Sequence, residues 1–287
     1  MRSTAEQTLT RDALRRLTGM KNARMKAVSA AMIRHLHEFV REIRPSQSEW
    51  SRAIQFLTET GHMSGGNRQE FILLSDVLGV SMLVDAVRHG SQRGVTESTV
   101  LGPFHVKGAP FLERGANISN TRGGVPTIVS GHVRSVDGRP VKGAVLDIWQ
   151  TAANGLYNVQ DPSQPDMNLR GKFRTDAEGH FEFRTVKPVS YPVPIDGPVG
   201  KLLKQMGRHP FRPAHIHFIV TAKGYEPLTT HLFVKGDPYL KSDAVFGVKP
   251  SLIVNFKPHT SKAEAKRRGV TAPFCTVDYD FGLRPVS

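Results

Sequence analysis

A single cysteine, Cys275, stands among 287 residues, which excludes an internal disulfide framework and any site built from several thiolates of one chain. The start, Met1-Arg2-Ser3-Thr4-Ala5-Glu6, lacks the apolar core of a signal peptide, and no apolar run approaches the length of a membrane span. The expected compartment is a reducing cytoplasm. Acidic residues are also scarce, 25 against 39 lysines and arginines, a formal charge of +14. Such a balance suits nucleic acid, an anionic surface or an acidic substrate. The basic residues are spread along the chain, however, and their densest short run, Lys262 to Arg268, also holds Glu264. No zinc-finger spacing, RNA-binding aromatic motif or helix-turn-helix accompanies them, so nucleic acid is not expected as a partner. There is also no G-x-G-x-x-G loop following a strand, the usual sign of a bound dinucleotide.

What is present falls into two textures. Through residue 98 the chain reads as helix and carries little β signal. Val28, Met32, Leu36, Phe39 and Val40 recur at three- and four-residue spacings, one helix face. Pro45 ends that helix, and Ser46 or Ser48 can cap a second one through Trp50, Ile54, Phe56 and Leu57. Gln69 to Val87 reads as a third helical run. His35, His37 and His62 have no partner cluster in the sequence and are expected to be exposed.

From residue 99 glycine and proline become frequent, and short β-branched runs recur between turns. Thr127–Val133, Ala144–Trp149, Ile216–Ala222, Leu228–Val234, Ser251–Phe256 and Thr276–Phe281 read as strands. Phe173–Thr175 and His180–Thr185, about the turn Asp176-Ala177-Glu178-Gly179, read as a hairpin. The expected architecture is mainly β: a helical N-terminal region, 1–98, then a β-sandwich, 99–287.

His215 and His217 lie two apart at the head of one strand, so their side chains share a face and can converge on a metal ion. The alternative is a pair of polar positions on the wet face of an edge strand. Only five tyrosines occur, and two sit in unusual places. Tyr157 follows Asn154-Gly155-Leu156, and Tyr191 stands between prolines in Lys187-Pro188-Val189-Ser190-Tyr191-Pro192-Val193-Pro194. Each alone suits packing. Two phenolates with two imidazoles suit ferric iron, because phenolate is a hard anionic donor and imidazole also binds iron. Ionising a phenol near neutral pH needs a strong local cation, which Fe(III) supplies.

The ordered motifs resemble the intradiol ring-cleavage dioxygenases, non-haem iron(III) enzymes that open catechols between the two hydroxyls. They are V-L-G-P-F at 100–104, S-G-H-V-R-S-V-D-G-R-P-V-K-G-A-V-L-D-I-W-Q at 130–150 and G-L-Y-N-V-Q-D at 155–161. L-R-G-K-F-R-T-D at 169–176, Y-P-V-P-I-D-G-P-V-G-K-L-L at 191–203 and R-P-A-H-I-H-F at 212–218 complete the set. The resemblance implies Tyr157, Tyr191, His215 and His217 as the iron ligands, with a fifth position for water or hydroxide. It makes Arg212 the active-site arginine, whose fixed charge would stabilise negative charge developing on the ring. Tyr191 is the expected displaced ligand, serving as base for a substrate proton.

Within that family, T-T-H-L-F-V-K-G-D-P-Y-L at 229–240 with S-D-A-V-F-G-V-K at 242–249, and Q-E-F-I-L-L-S-D-V-L-G at 69–79, most resemble the hydroxyquinol (1,2,4-trihydroxybenzene) branch. The implied reaction takes hydroxyquinol and dioxygen to maleylacetate; catechol or chloro- and alkylcatechols, giving cis,cis-muconates, are the alternative substrates. Leu73 and Asp76, one helical turn apart, are candidates for the ring and the third hydroxyl. Asp76 also suits an interhelical polar contact. Val100, Gly102, Pro103, Phe104, Val193 and Pro194 are candidates for the remaining substrate contacts. His231 stands where relatives often carry glutamine. The resemblance further implies a homodimer through the N-terminal helices, often around a phospholipid. A non-enzymatic prealbumin-like sandwich would explain the strands but not the ordered tyrosines and histidines. A zinc hydrolase would use the histidines but have no need of the tyrosines.

Overall fold

The computed structural model describes residues 4–66, 68–90, 92–120 and 123–286. The chain divides into two compact units, Met1–Glu59 and Thr60–Ser287.

The first unit is helical: α1 (Thr4–Arg15), α2 (Ala23–Ile43) and the greater part of α3 (Gln47–His62). The Asn22 side chain caps α2 by accepting from the Met25 N–H, and Arg44, in the left-handed region at φ 46°, closes it ahead of Pro45. Ser46, not Ser48, caps α3: its hydroxyl accepts from the Glu49 N–H while Glu49 accepts from the Ser46 N–H. Helix α1 lies against α2, where Thr10 meets His37 and Arg41 at 2.9 Å each. His37 is therefore half-buried, whereas His35 and His62 are exposed as expected.

In the second unit the expected run over 69–87 is two helices, α4 (Glu70–Val77) and α5 (Val80–His89). Gly79 breaks it by taking φ 74°, a conformation glycine adopts without the strain a Cβ would bring. The last helix before the sheets ends at His89 and the first strand begins at Pro126, so the position 98–99 anticipated as a boundary falls within the connecting segment. By contact, α4 and α5 belong with the sheets.

The remaining elements, in chain order, are β1 (Pro126–Ser135), β2 (Val145–Trp149), β3 (Arg170–Arg174), β4 (His180–Val186), β5 (Tyr191–Pro192), α6 (Pro198–Gln205) and β6 (Phe211–Arg212). Then follow β7 (His215–Thr221), β8 (Leu228–Val234), β9 (Ile253–Val254), β10 (Lys257–His259), α7 (Lys262–Arg267), β11 (Phe274–Asp278) and β12 (Phe281–Leu283). They form a sandwich of two five-stranded sheets. One has the order β10-β11-β1-β12 with β4 paired to β1; the other is β3-β2-β7-β8-β9. Between them lies one apolar core, to which Val129, Val133, Phe181 and Phe183 come from the first sheet. Leu146, Ile148, Phe218 and Leu232 come from the second.

The expected hairpin over 173–185 is not one. β3 pairs with β2 and β4 pairs with β1, so the Asp176–Gly179 turn crosses from one sheet to the other. The reason is burial. Phe173 and Phe183 stack face to face across the core, with ring centroids 5.4 Å apart, which edge-to-edge pairing of the two segments would prevent. The basic run Lys262–Arg267 is a short helix, α7, capped by Ser261, whose hydroxyl accepts from the Glu264 N–H.

Candidate metal centre

Strand β7 begins at the H-x-H pair and is covered by neighbours on both edges. His217 faces Trp149 of β2 on one side and His231 of β8 on the other. The histidines are thus interior, and the alternative of a wet edge strand is removed: His215 and His217 are each 2% exposed. Just upstream, the two-residue strands β5 and β6 pair Tyr191 with Arg212. The prolines around Tyr191 fix its backbone, and the pairing with β6 ties that rigid loop to the strand leading into β7. Tyr157 enters from the other side, immediately before a short 3-10 turn over Asn158–Gln160; its N–H donates to the Gln160 side chain.

The four side chains converge. The Tyr157 hydroxyl lies 2.9 Å from His217 Nε2 and 3.0 Å from the Tyr191 hydroxyl. His215 Nε2 is 3.0 Å from His217 Nε2 and 3.4 Å from the Tyr191 hydroxyl. Donors about 2.0 Å from a tetrahedral ion stand roughly 3.3 Å from one another, so these separations are those of a coordination shell. His215 Nδ1 donates to the Pro213 carbonyl at 2.6 Å, which leaves its Nε2 lone pair directed inward.

The surroundings fix the rings and exclude water. Trp149 stacks on His217, with centroids 4.5 Å apart, and Phe104 stacks on Tyr157 at 4.6 Å. Gly102, at φ +73°, takes a backbone conformation that residues with a Cβ rarely adopt, and packs against the His217 ring.

Burial above all pushes both tyrosines above the ordinary phenol range; the pair also opposes double ionisation at Tyr157, and Arg212 draws each partly back. Burial likewise holds His215, His217 and His231 below the usual imidazole range, with the charge of Arg212 adding to it. Neutral imidazoles present lone pairs. The phenols, in contrast, ionise here only for a strong Lewis acid, and a trivalent ion is the natural fit to two phenolates and two imidazoles.

Arg212 is 3% exposed and lies 3.3 Å from His215 Nε2. Burial alone would lower its guanidinium, but Asp243 and the two phenols outweigh that and hold it above its ordinary value. Asp243 is the functional residue that sequence reasoning left without a role. It accepts from Arg212 Nε at 3.1 Å, and also from the N–H groups of Val245 and Gly247. Its only sequence signal is its place in Ser242-Asp243-Ala244-Val245.

The candidate substrate residues divide. Asp76, Val100 and Gly102 share one cavity of about 450 Å³ with Ile72, Ser75 and Thr99. Leu73, Pro103, Phe104, Val193 and Pro194 do not line it. Of these, Leu73, Phe104 and Val193 are buried, and Pro103 and Phe104 border a separate cavity of about 130 Å³. Burial pushes the Asp76 carboxyl above its ordinary value; Ser81 and Arg212 oppose that shift.

Comparison with known proteins accounts for both halves of the chain. The family model described as Dioxygenase matches residues 100–285, and the one described as Catechol dioxygenase N terminus matches residues 22–96. A hydroxyquinol 1,2-dioxygenase of Rhizobium sp. is 50% identical over 270 residues, covering 93% of this chain and 92% of that protein. A 6-chlorohydroxyquinol 1,2-dioxygenase of Cupriavidus pinatubonensis is 47% identical and covers 98% of each. Among solved structures, hydroxyquinol 1,2-dioxygenase from Pseudomonas putida superposes with a TM-score of 0.90 at 47% identity, covering 98% of this chain and 99% of that one. Catechol 1,2-dioxygenase from an Acinetobacter species gives 0.86 at 29% identity, with 100% and 94% covered.

Proposed function

The chain belongs to the intradiol ring-cleavage dioxygenases, and from that premise we propose that it opens hydroxyquinol to maleylacetate at a ferric centre held by Tyr157, Tyr191, His215 and His217. The observation that carries this reading is the donor set itself: two phenol oxygens and two imidazole nitrogens, all buried, with neighbouring atoms 2.9–3.4 Å apart. When bound, a ferric ion supplies the charge that ionises the phenols and accepts electron density from a catecholate ring, opening the ring carbon to dioxygen.

The protein's own groups do the rest. Tyr191, tied to Arg212 through the β5–β6 pair, would be the ligand that yields its place to substrate, and its phenolate would take a proton from a substrate hydroxyl. Arg212 places a permanent positive charge beside the ring, where negative charge grows during oxygen attack. Asp243 holds that guanidinium in place. Trp149 and Phe104 keep water from the ligand rings. Asp76, in the cavity with Val100 and Gly102, hydrogen-bonds the third hydroxyl, the group that separates hydroxyquinol from catechol. The similarity to named hydroxyquinol enzymes supports the same preference.

The test is turnover of hydroxyquinol against catechol, with product spectra. Hydroxyquinol is expected to give maleylacetate with the higher kcat/KM, and a preference for catechol would overturn the assignment of substrate. Iron retained by the purified protein, with a red-brown tyrosinate charge-transfer band, tests the cofactor.

The quaternary proposal is a homodimer through the N-terminal helices, with room for a phospholipid between them. Its support is the exposed apolar face of α2, where Val28, Met32, Leu36, Phe39 and Val40 are 42–57% exposed. Among the described residues no helix is long and apolar enough to cross a membrane. The lone, buried Cys275 supports a reducing cytoplasm as the place of work.

A further inference from the structure

Strand β8 adds a third imidazole to the face that carries the H-x-H pair. His231 stands directly opposite His217 in the antiparallel register, while Phe233 stands opposite His215. The ring centroids of His231 lie 4.1 Å from those of His217 and 4.7 Å from those of His215. One ring nitrogen from each of the three lies within 4.8 Å of the other two, and all three side chains are buried. His231 is 0% exposed. Its Nδ1 is engaged by the Thr99 hydroxyl, which fixes the ring, whereas its Nε2 has no hydrogen-bond partner. A fully buried nitrogen without a partner is costly, and nothing in the ferric donor set uses it.

We propose that His215, His217 and His231 form a second donor set, overlapping the ferric one, that takes a divalent cation of the zinc or cobalt class. The geometry is that of a three-histidine site: two imidazoles two residues apart on one strand, the third across from them on the next. Three neutral imidazoles suit a borderline divalent ion, which has no need of phenolate. Donors about 2.1 Å from a shared tetrahedral ion stand about 3.4 Å from one another. His215 and His217 already meet that spacing at 3.0 Å, and the widest pair in the set must close by up to about 1.4 Å. The Thr99 hydroxyl is the outer partner that orients His231, as such partners do for metal-bound histidines. Because both sets share His215 and His217, the two metals exclude each other: the tyrosines select ferric iron, and His231 gives a competing divalent ion its third ligand. The proposal rests on the ferric reading only through those two shared histidines.

The test uses the full chain with metal removed by chelation and titrates it with Zn2+ alone, then with Fe(III), reading the tyrosinate band for the second. His231→Gln is expected to bind Zn2+ at least tenfold more weakly while still developing the ferric band, which also reports that the variant is folded. Thr99→Val keeps the imidazole and removes its orienting partner; a loss of about tenfold is expected. Tyr157→Phe is expected to keep zinc affinity within about threefold and to lose band intensity. Prior Zn2+ should slow ferric loading in the wild type and do so less in His231→Gln. Equal zinc affinity of wild type, His231→Gln and Thr99→Val overturns the proposal, as does a Tyr157→Phe loss equal to that of His231→Gln. Absence of any tyrosinate band with zinc binding as described would instead sink the ferric reading and leave the three-histidine site standing.

Discussion

Arg212 and Asp243 form an ion pair, Nε to Oδ1 3.1 Å, whose side chains are 3% and 2% exposed. The pair joins the strand that leads into the H-x-H motif to a loop thirty-one residues on. Asp243 spends its remaining capacity on the Val245 and Gly247 N–H groups, at 3.3 and 3.0 Å, so it anchors that loop as well. Removing one partner leaves a buried charge uncompensated, at a cost of about 3–5 kcal/mol. Asp243→Ala is therefore expected to destabilise the protein by that order in denaturant unfolding. It should also depress kcat more than it raises KM, because Arg212 loses its aim at the developing charge. A variant with wild-type stability and kcat would show that the pair is incidental.

The two tyrosines are expected to separate by role. On the proposed ligand set, Tyr157→Phe removes a permanent ligand, so both the charge-transfer band and iron retention should fall. Tyr191→Phe removes the proposed ligand and base, so kcat should drop by about 10²–10⁴-fold, the usual contribution of a positioned proton acceptor. Absorption spectra, iron content and steady-state kinetics of the two variants check this. Unchanged turnover in Tyr191→Phe would transfer the base to another group.

On the proposed reading, substrate choice turns on Asp76. The carboxyl lies in the cavity with Val100 and Gly102, and burial holds it above the ordinary range. In either protonation state it can pair with the third hydroxyl of hydroxyquinol. Made by the ionised carboxylate, that hydrogen bond is worth about 1.5–3 kcal/mol, or roughly 10–150-fold. Asp76→Ala should lower kcat/KM for hydroxyquinol by that factor and leave catechol within a few-fold. Parallel losses on both substrates would assign Asp76 a structural role alone.

Much of the centre was legible because its signals are local. Two histidines two apart on a strand share a face whatever the rest of the fold does, and a tyrosine between prolines sits on a fixed backbone. The sandwich followed from strand length and turn spacing. What was hidden depends on pairing between distant segments. Nothing within residues 173–185 says whether Phe173 and Phe183 lie edge to edge in one sheet or stack across the core between two. His231 could be seen as unusual, yet its place opposite His217 exists only in the β7–β8 register. Asp243 reads as one more acidic residue in a loop until Arg212 is found beside it. Helix α6, opening on Pro198 after Gly197, was missed because its eight residues lie in a stretch read for its prolines.

Acid–base linkage gives Asp76 a signature in stability as well. Its folded-state value lies above the ordinary 3.8, chiefly through burial, with Ser81 and Arg212 opposing. Between 3.8 and that raised value the native state therefore binds more protons than the unfolded chain. Stability must fall as pH rises through this window and level off above it. Asp85 works in the opposite sense: burial would raise it, but the Lys249 ammonium at 2.8 Å, with Ser98 and His89, together outweigh that and hold it low, so it adds stability as pH rises from below. The total slope mixes the two, and the informative quantity is the difference between wild type and Asp76→Asn. Denaturant unfolding of both proteins at a series of pH values from about 4 upward isolates it. The variant is expected to gain on the wild type as pH rises through that window and to hold the gain above it, since asparagine has no proton to lose. Parallel curves would mean that Asp76 titrates in the folded protein as it does in the unfolded one. The cavity beside the metal centre would then be wet enough to solvate a carboxylate.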